Sequence, residues 1–106
     1  MNLKRTSANS DRVERALHVG RELKNARLAK DLTQEAVILC SGAYSNVRTL
    51  RKIEAGILFP PRLKLIRLWR FGLDIQEIPS LNEILAVAGY SPLERAELHR
   101  LGLVVL

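Results

Sequence analysis

From Val13 the apolar positions repeat at steps of three and four. Val13, Ala16, Leu17, Gly20, Leu23, Ala26 and Arg27 mark a helix that Asp11 caps and that stops near Lys30–Asp31. Gly20 interrupts the pattern at a cost of about 1 kcal/mol relative to Ala, which points to a bend or to the close approach of another helix. Thr33 caps a second helix, its hydroxyl accepting from free N–H groups, and Glu35 suits the positive end of the helix dipole. Ala36, Val37, Ile38, Leu39 and Cys40 are apolar on nearly every side, so this helix is expected to be deeply buried. The stretch "SGAYSN", residues 41–46, reads as a turn in which Gly42 takes positive φ and Ser45 or Asn46 caps the next helix. That third helix runs from about Val47 to Ala55. Val47, Leu50 and Ile53 form its inner stripe with Glu54 beside them, while Arg48, Arg51 and Lys52 point elsewhere. Gly56 ends it, and Pro60–Pro61 forbid immediate continuation.

A fourth helix starts at Pro61 or Arg62 and reaches about Phe71, with Leu63, Leu65, Ile66, Leu68 and Trp69 along its apolar side. Gly72 ends it, and "LDIQEIP" is a connector. Ser80 caps a fifth helix, Leu81 to Ala88, closed by Gly89. In "SPLE", Ser91 is the N-cap of a sixth helix, Pro92 its first residue and Glu94 the capping-box partner, with the end near Leu101. The final "LGLVVL" reads as a short strand or as a tail docked on a second subunit. Residues 1–10, "MNLKRTSANS", lack periodicity and read as a flexible basic arm. There is no hairpin signal and no internal repeat. The expected fold is all-α: about five helices and a short C-terminal helical or apolar extension.

Composition sharpens this picture in two ways. Apolar residues make up 47% of the 106 residues but aromatics only 5%, so the core must be aliphatic. The formal net charge of +6 is unevenly placed. Residues 1–70 hold 15 Lys and Arg against 6 Asp and Glu, a net of +9, whereas residues 71–106 hold 2 against 5, a net of −3. A basic first part favours a polyanionic partner, nucleic acid ahead of an acidic membrane. A single cysteine, Cys40, allows no intramolecular disulfide and suits a reducing cytosol, and its apolar run marks it as a small core residue. No apolar run reaches the roughly 20 residues of a spanning helix. Lys4 and Arg5 are followed by no apolar segment of the kind a signal peptide needs.

Nothing in the chain forms a catalytic constellation. His18 and His99 lie far apart and have no ligand spacing with Cys40, and no phosphate loop or paired-carboxylate motif occurs. The expectation is a protein without cofactor, metal or enzymatic activity.

The stretches "LKNARLAKDLTQE" (Leu23 to Glu35) and "LRKIEAGILFP" (Leu50 to Pro60) resemble the Cro/repressor-like, XRE-type helix-turn-helix regulators. The first is similar to their opening and the second to the close of their recognition helix. "ILAVAGYS", Ile84 to Ser91, is more loosely similar to a segment often found after that core. From Thr33 to Glu54 the chain is two residues longer than the usual spacing, with the extra residues falling around Ala43–Asn46, and Ile38 stands where a small residue is usual.

The resemblance implies a λ-repressor-like helix-turn-helix bundle over residues 11–72, a dimerisation element over 73–106, and a third helix that enters the major groove of duplex DNA. Arg48, Arg51, Lys52 and Asn46 are the expected readers of the duplex. Arg can bond guanine O6 and N7 together; Asn46 either caps its helix or reads adenine; Arg51 and Lys52 read bases or hold phosphate. Gln34 and Thr33, at the head of the second helix, would meet the phosphate backbone, Thr33 first as a cap. Tyr44, Ser45 and Thr49 would flank the groove, and Arg62 would grip phosphate on the far side. The family pattern further implies a structural ion pair between Arg27 and Glu54.

A two-fold dimer would read two half-sites about one helical turn apart. Its interface is expected at Leu98, Leu101, Leu103, Val104, Val105 and Leu106. The function so implied is that of a transcriptional regulator, a repressor, in the cytoplasm on the nucleoid. The alternative is an antitoxin-like helix-turn-helix protein acting through a protein partner on its C-terminal region.

Overall fold

Among the described residues there are six α-helices and one π-helical turn: α1 (Leu3–Ala29), α2 (Gln34–Ser41), α3 (Val47–Glu54), α4 (Arg62–Arg67) running into the π turn (Leu68–Gly72), α5 (Ile78–Ala88) and α6 (Arg95–Arg100). The computed structural model describes the backbone of residues 3–103 and the side chains of residues 11–103. No strand occurs among the described residues, so the described part of the chain is all-helical, and no described helix is long and apolar enough to cross a membrane.

The core is aliphatic around a single Trp69: Val19 and Leu23 of α1, Val37 and Ile38 of α2, Leu50 and Ile53 of α3, Leu65, Ile66 and Leu68, and Leu81, Ile84 and Leu85 of α5 are all buried together. α1 lies against α3 and α5, and α2 against α3 and the π turn. In that turn Leu73 N–H reaches back five residues to Leu68 O at 2.9 Å. A Cβ on Gly72 would stand 2.9 Å from a Val37 methyl and 3.0 Å from Val37 O, so glycine is what lets α2 close on this turn.

Local signals place most of the ends. Thr33 Oγ1 accepts from Ala36 N–H and Asn46 Oδ1 from Arg48 N–H, as N-caps. Gly42 and Gly89 close α2 and α5 in the left-handed conformation. Three expectations are corrected. Residues 3–10, read as an arm, continue α1, because nothing from Leu3 to Ser10 is a Gly or Pro that would stop a helix propagating. α5 begins at Ile78, and Ser80 Oγ instead accepts from Trp69 Nε1 at 3.2 Å. α6 begins at Arg95, capped by Glu94 with Glu97 as its box partner.

The shift of α6 has a cause in its neighbours. Asn82 Oδ1 holds Leu93 N–H at 2.8 Å, and Arg62 donates to Ser91 O at 3.1 Å and Pro92 O at 2.9 Å. Residues 91–93 are thus fastened before a helix can start. Glu97 accepts from both Nη1 and Nη2 of Arg62, the latter at 2.9 Å, and from Glu94 N–H. The guanidinium holds the Glu97 carboxyl down at about 2 from the usual 4.5. A carboxylate depressed by folding contributes stability that is complete above its unfolded value and is lost as pH falls through the folded one. Acid unfolding followed by circular dichroism is therefore expected to show wild-type stability falling from pH 4.5 toward about 2. Glu97→Gln should be less stable at neutral pH and should converge on the wild type across that window.

At the C-terminal end two residues expected at the dimer surface, Leu101 and Leu103, are instead buried within the chain. Gly102 N–H bonds His99 O at 3.1 Å and Leu103 N–H bonds Leu98 O at 2.8 Å, a Schellman closure of α6. It folds Leu101 and Leu103, each 8% exposed, into the chain's own core, with Leu98 packed partly against them. Apolar side chains next to an unfilled core bury there first. Val104, Val105 and Leu106 lie outside the described residues.

Candidate functional site

α3 is eight residues long, anchored on one side by the buried Leu50 and Ile53 and half-covered at Val47 and Thr49. Arg48, Arg51 and Lys52 are exposed. Residues three and four apart on a helix are neighbours, so the three cations share a face spanning about 6 Å along the axis. Asn46 and Ser45 stand exposed at its N-terminal end. Among the described residues no ion pair holds Arg48 or Lys52.

The support beneath this face is an ion pair that the family pattern implied. Arg27 Nε and Nη2 donate to the two carboxylate oxygens of Glu54 at 2.8 and 2.9 Å, and Nη1 donates to Leu32 O at 3.0 Å. The side chains are 11% and 5% exposed. The hydrogen bonds that Arg27 donates to Glu54, ahead of the carboxylate's charge, raise the already high Arg27 pKa. One residue thereby ties α1, the end of α3 and the loop before α2.

Gln34 extends the chain of contacts outward. Its Nε2 donates to Glu54 Oε1 at 3.1 Å, and its Oε1 accepts from Arg51 Nε at 3.2 Å. Glu35 stands 4.0 Å from Arg51 Nη2, both side chains more than half exposed, a pairing worth little in water. The first residue of α2 thus orients a cation on α3. No linear signal in the sequence announces this bond, because 17 residues separate its ends.

Two expected members of the contact set are placed elsewhere. Arg62 is turned to α6, its guanidinium occupied by Glu97 and two backbone carbonyls, and it leaves the set. Tyr44 is half-buried, its hydroxyl sealed from solvent without a hydrogen-bond partner among the described residues, and burial pushes its pKa up. Lys64 donates to Ala43 O at 2.7 Å and lies over the Tyr44 ring. The middle of the turn between α2 and α3, residues 42–46, is therefore accommodated inward: Ala43 is 4% exposed and Tyr44 half-buried, while Gly42, Ser45 and Asn46 are exposed. Cys40, expected in the core, is exposed, as is Leu39 at 84%. Only Val37, Ile38 and Ser41 of α2 are buried, so its apolar run covers an outward face too.

Comparison of the chain with family models, with curated proteins and with solved structures finds no match.

Proposed function

We propose that this chain is a sequence-specific double-stranded DNA-binding regulator of transcription, a λ-repressor-like helix-turn-helix protein that acts as a homodimer in the cytoplasm. The observation that carries this reading is the outward cationic face of α3, Arg48, Arg51 and Lys52, on a helix whose opposite face is locked by Leu50 and Ile53. A major groove about 12 Å wide admits such a helix. Arg48 lies nearest the N-terminal end and reads a base edge; Lys52 acts as a point charge toward phosphate. Gln34 holds Arg51 in position and leaves the free N–H groups at the head of α2 for the backbone. Occupation of the site represses by exclusion, with no cofactor and no chemistry.

The test is selection of bound duplexes from a random pool, followed by titration of the selected duplex at several salt concentrations. Log K is expected to fall with log salt by about 0.9 per phosphate neutralised. Arg48→Ala is expected to lose preference at one position, at about 1–3 kcal/mol, and Lys52→Ala to weaken all duplexes alike while flattening the salt slope. Failure of every duplex to associate even in dilute buffer overturns the reading.

A further inference from the structure

We infer that a second copy of this chain docks on the apolar patch built by Val13 and Leu17 of α1 and by Ile57, just beyond α3. The inference rests on the homodimer proposed above and gives it a surface.

Val13 and Leu17 are 56% and 44% exposed and sit one turn apart on a single face of α1. The Leu17 side chain closes over Gly56: a Cβ there would lie 2.5 Å from Leu17 Cδ2. Ile57 is next in the chain, 76% exposed, with Leu58 after it at 37%. Leu17 thus joins the exposed apolar side of α1 to the loop after α3 that carries Ile57. Exposed apolar residues scattered singly are ordinary, whereas a contiguous cluster marks an interaction site.

The charges around the patch select a second copy over an unrelated partner. Glu14 lies three residues before Leu17 and Arg21 four after it, on the same face, and both are exposed. Among the described residues neither takes part in an ion pair. An isologous contact sets each residue against its counterpart across a two-fold axis. With α1 antiparallel to the partner copy's α1 and the axis through Leu17, each Glu14 meets the other copy's Arg21 beside an apolar centre. The axis also passes beside Gly56, at the C-terminal end of α3, so both cationic helices flank it. Leu101 and Leu103 are taken up by the chain's own core and so do not compete for this role.

The experiment uses the full chain with Cys40 replaced by Ser. Leu17→Cys in that background is expected to form a disulfide-linked dimer under mild oxidation, and Leu39→Cys to stay uncrosslinked. By light scattering after size exclusion, the parent is expected at twice the chain mass and Ile57→Asp at the monomer mass, with its helical circular dichroism unchanged. A parent that stays monomeric at its highest soluble concentration overturns the inference. So does a dimer that survives Ile57→Asp and yields no Leu17→Cys crosslink. Binding to an isolated half-site separates the two proposals. A monomer that still shifts a half-site fails this surface alone; a crosslinked dimer that shifts no duplex fails the DNA reading alone.

Discussion

Glu54→Ala is expected to lower folding stability by about 3–5 kcal/mol, the cost of leaving one partner of a buried ion pair without the other. A chain of this length commands only about 5–15 kcal/mol in total, so the variant should melt many degrees lower or populate unfolded chains at 37 °C. The carboxylate accepts from two Arg27 nitrogens and from Gln34 while it is 5% exposed. Removing it strands the Arg27 guanidinium and frees Gln34 from its place under Arg51. The double variant Arg27→Met with Glu54→Leu is expected to lie closer to the wild type than Glu54→Ala, because no unpaired charge is left behind. Urea unfolding of the three chains measures this. Equal losses in the single and double variants would show that packing alone, not charge, sets the cost.

The ends of α2 and α3 were legible because each carries its own chemistry: a Thr or Asn oxygen placed for the next N–H, and a Gly able to take positive φ. The start of α6 was not, because "SPLE" and the observed Glu94–Glu97 box are both valid locally. Distant groups decide between them, the Asn82 side chain and the Arg62 guanidinium fastening residues 91–93 outside the helix. The same limit governs the site. Exposure of Arg48, Arg51 and Lys52 follows from the helical period, since Leu50 and Ile53 claim the opposite face. The loss of Arg62 to Glu97 could not be read, because a pair 35 residues apart has no periodicity. Tyr44, Leu101 and Leu103 misled for a related reason: a turn or chain-end residue looks exposed until the neighbouring core is known to have room for it.

Gly20→Ala tests how α3 is seated, and its sign is informative. In the middle of an exposed helix this change is worth about 1 kcal/mol of stabilisation through helix propensity. Here the added Cβ would stand 2.3 Å from Ile53 O and 2.8 Å from Glu54 O. Both are backbone atoms, so no rotamer change relieves the contact, and α3 must lift away from α1. Lifting it unseats Leu50 and Ile53 and draws Glu54 from Arg27, so the overpacking cost of about 1–3 kcal/mol is expected at its upper end and to exceed the propensity gain. Gly20→Val drives two further carbons at the same carbonyls and is expected not to fold. Asn25→Ala, on the exposed side of α1, is expected to be neutral or stabilising. A lower urea midpoint for Gly20→Ala beside an unchanged or higher one for Asn25→Ala assigns the loss to the α1–α3 contact. A Gly20→Ala chain more stable than the wild type would mean that the two helices do not approach this closely, and the cationic face of α3 would then lack the rigid seat on which its proposed entry into a groove depends.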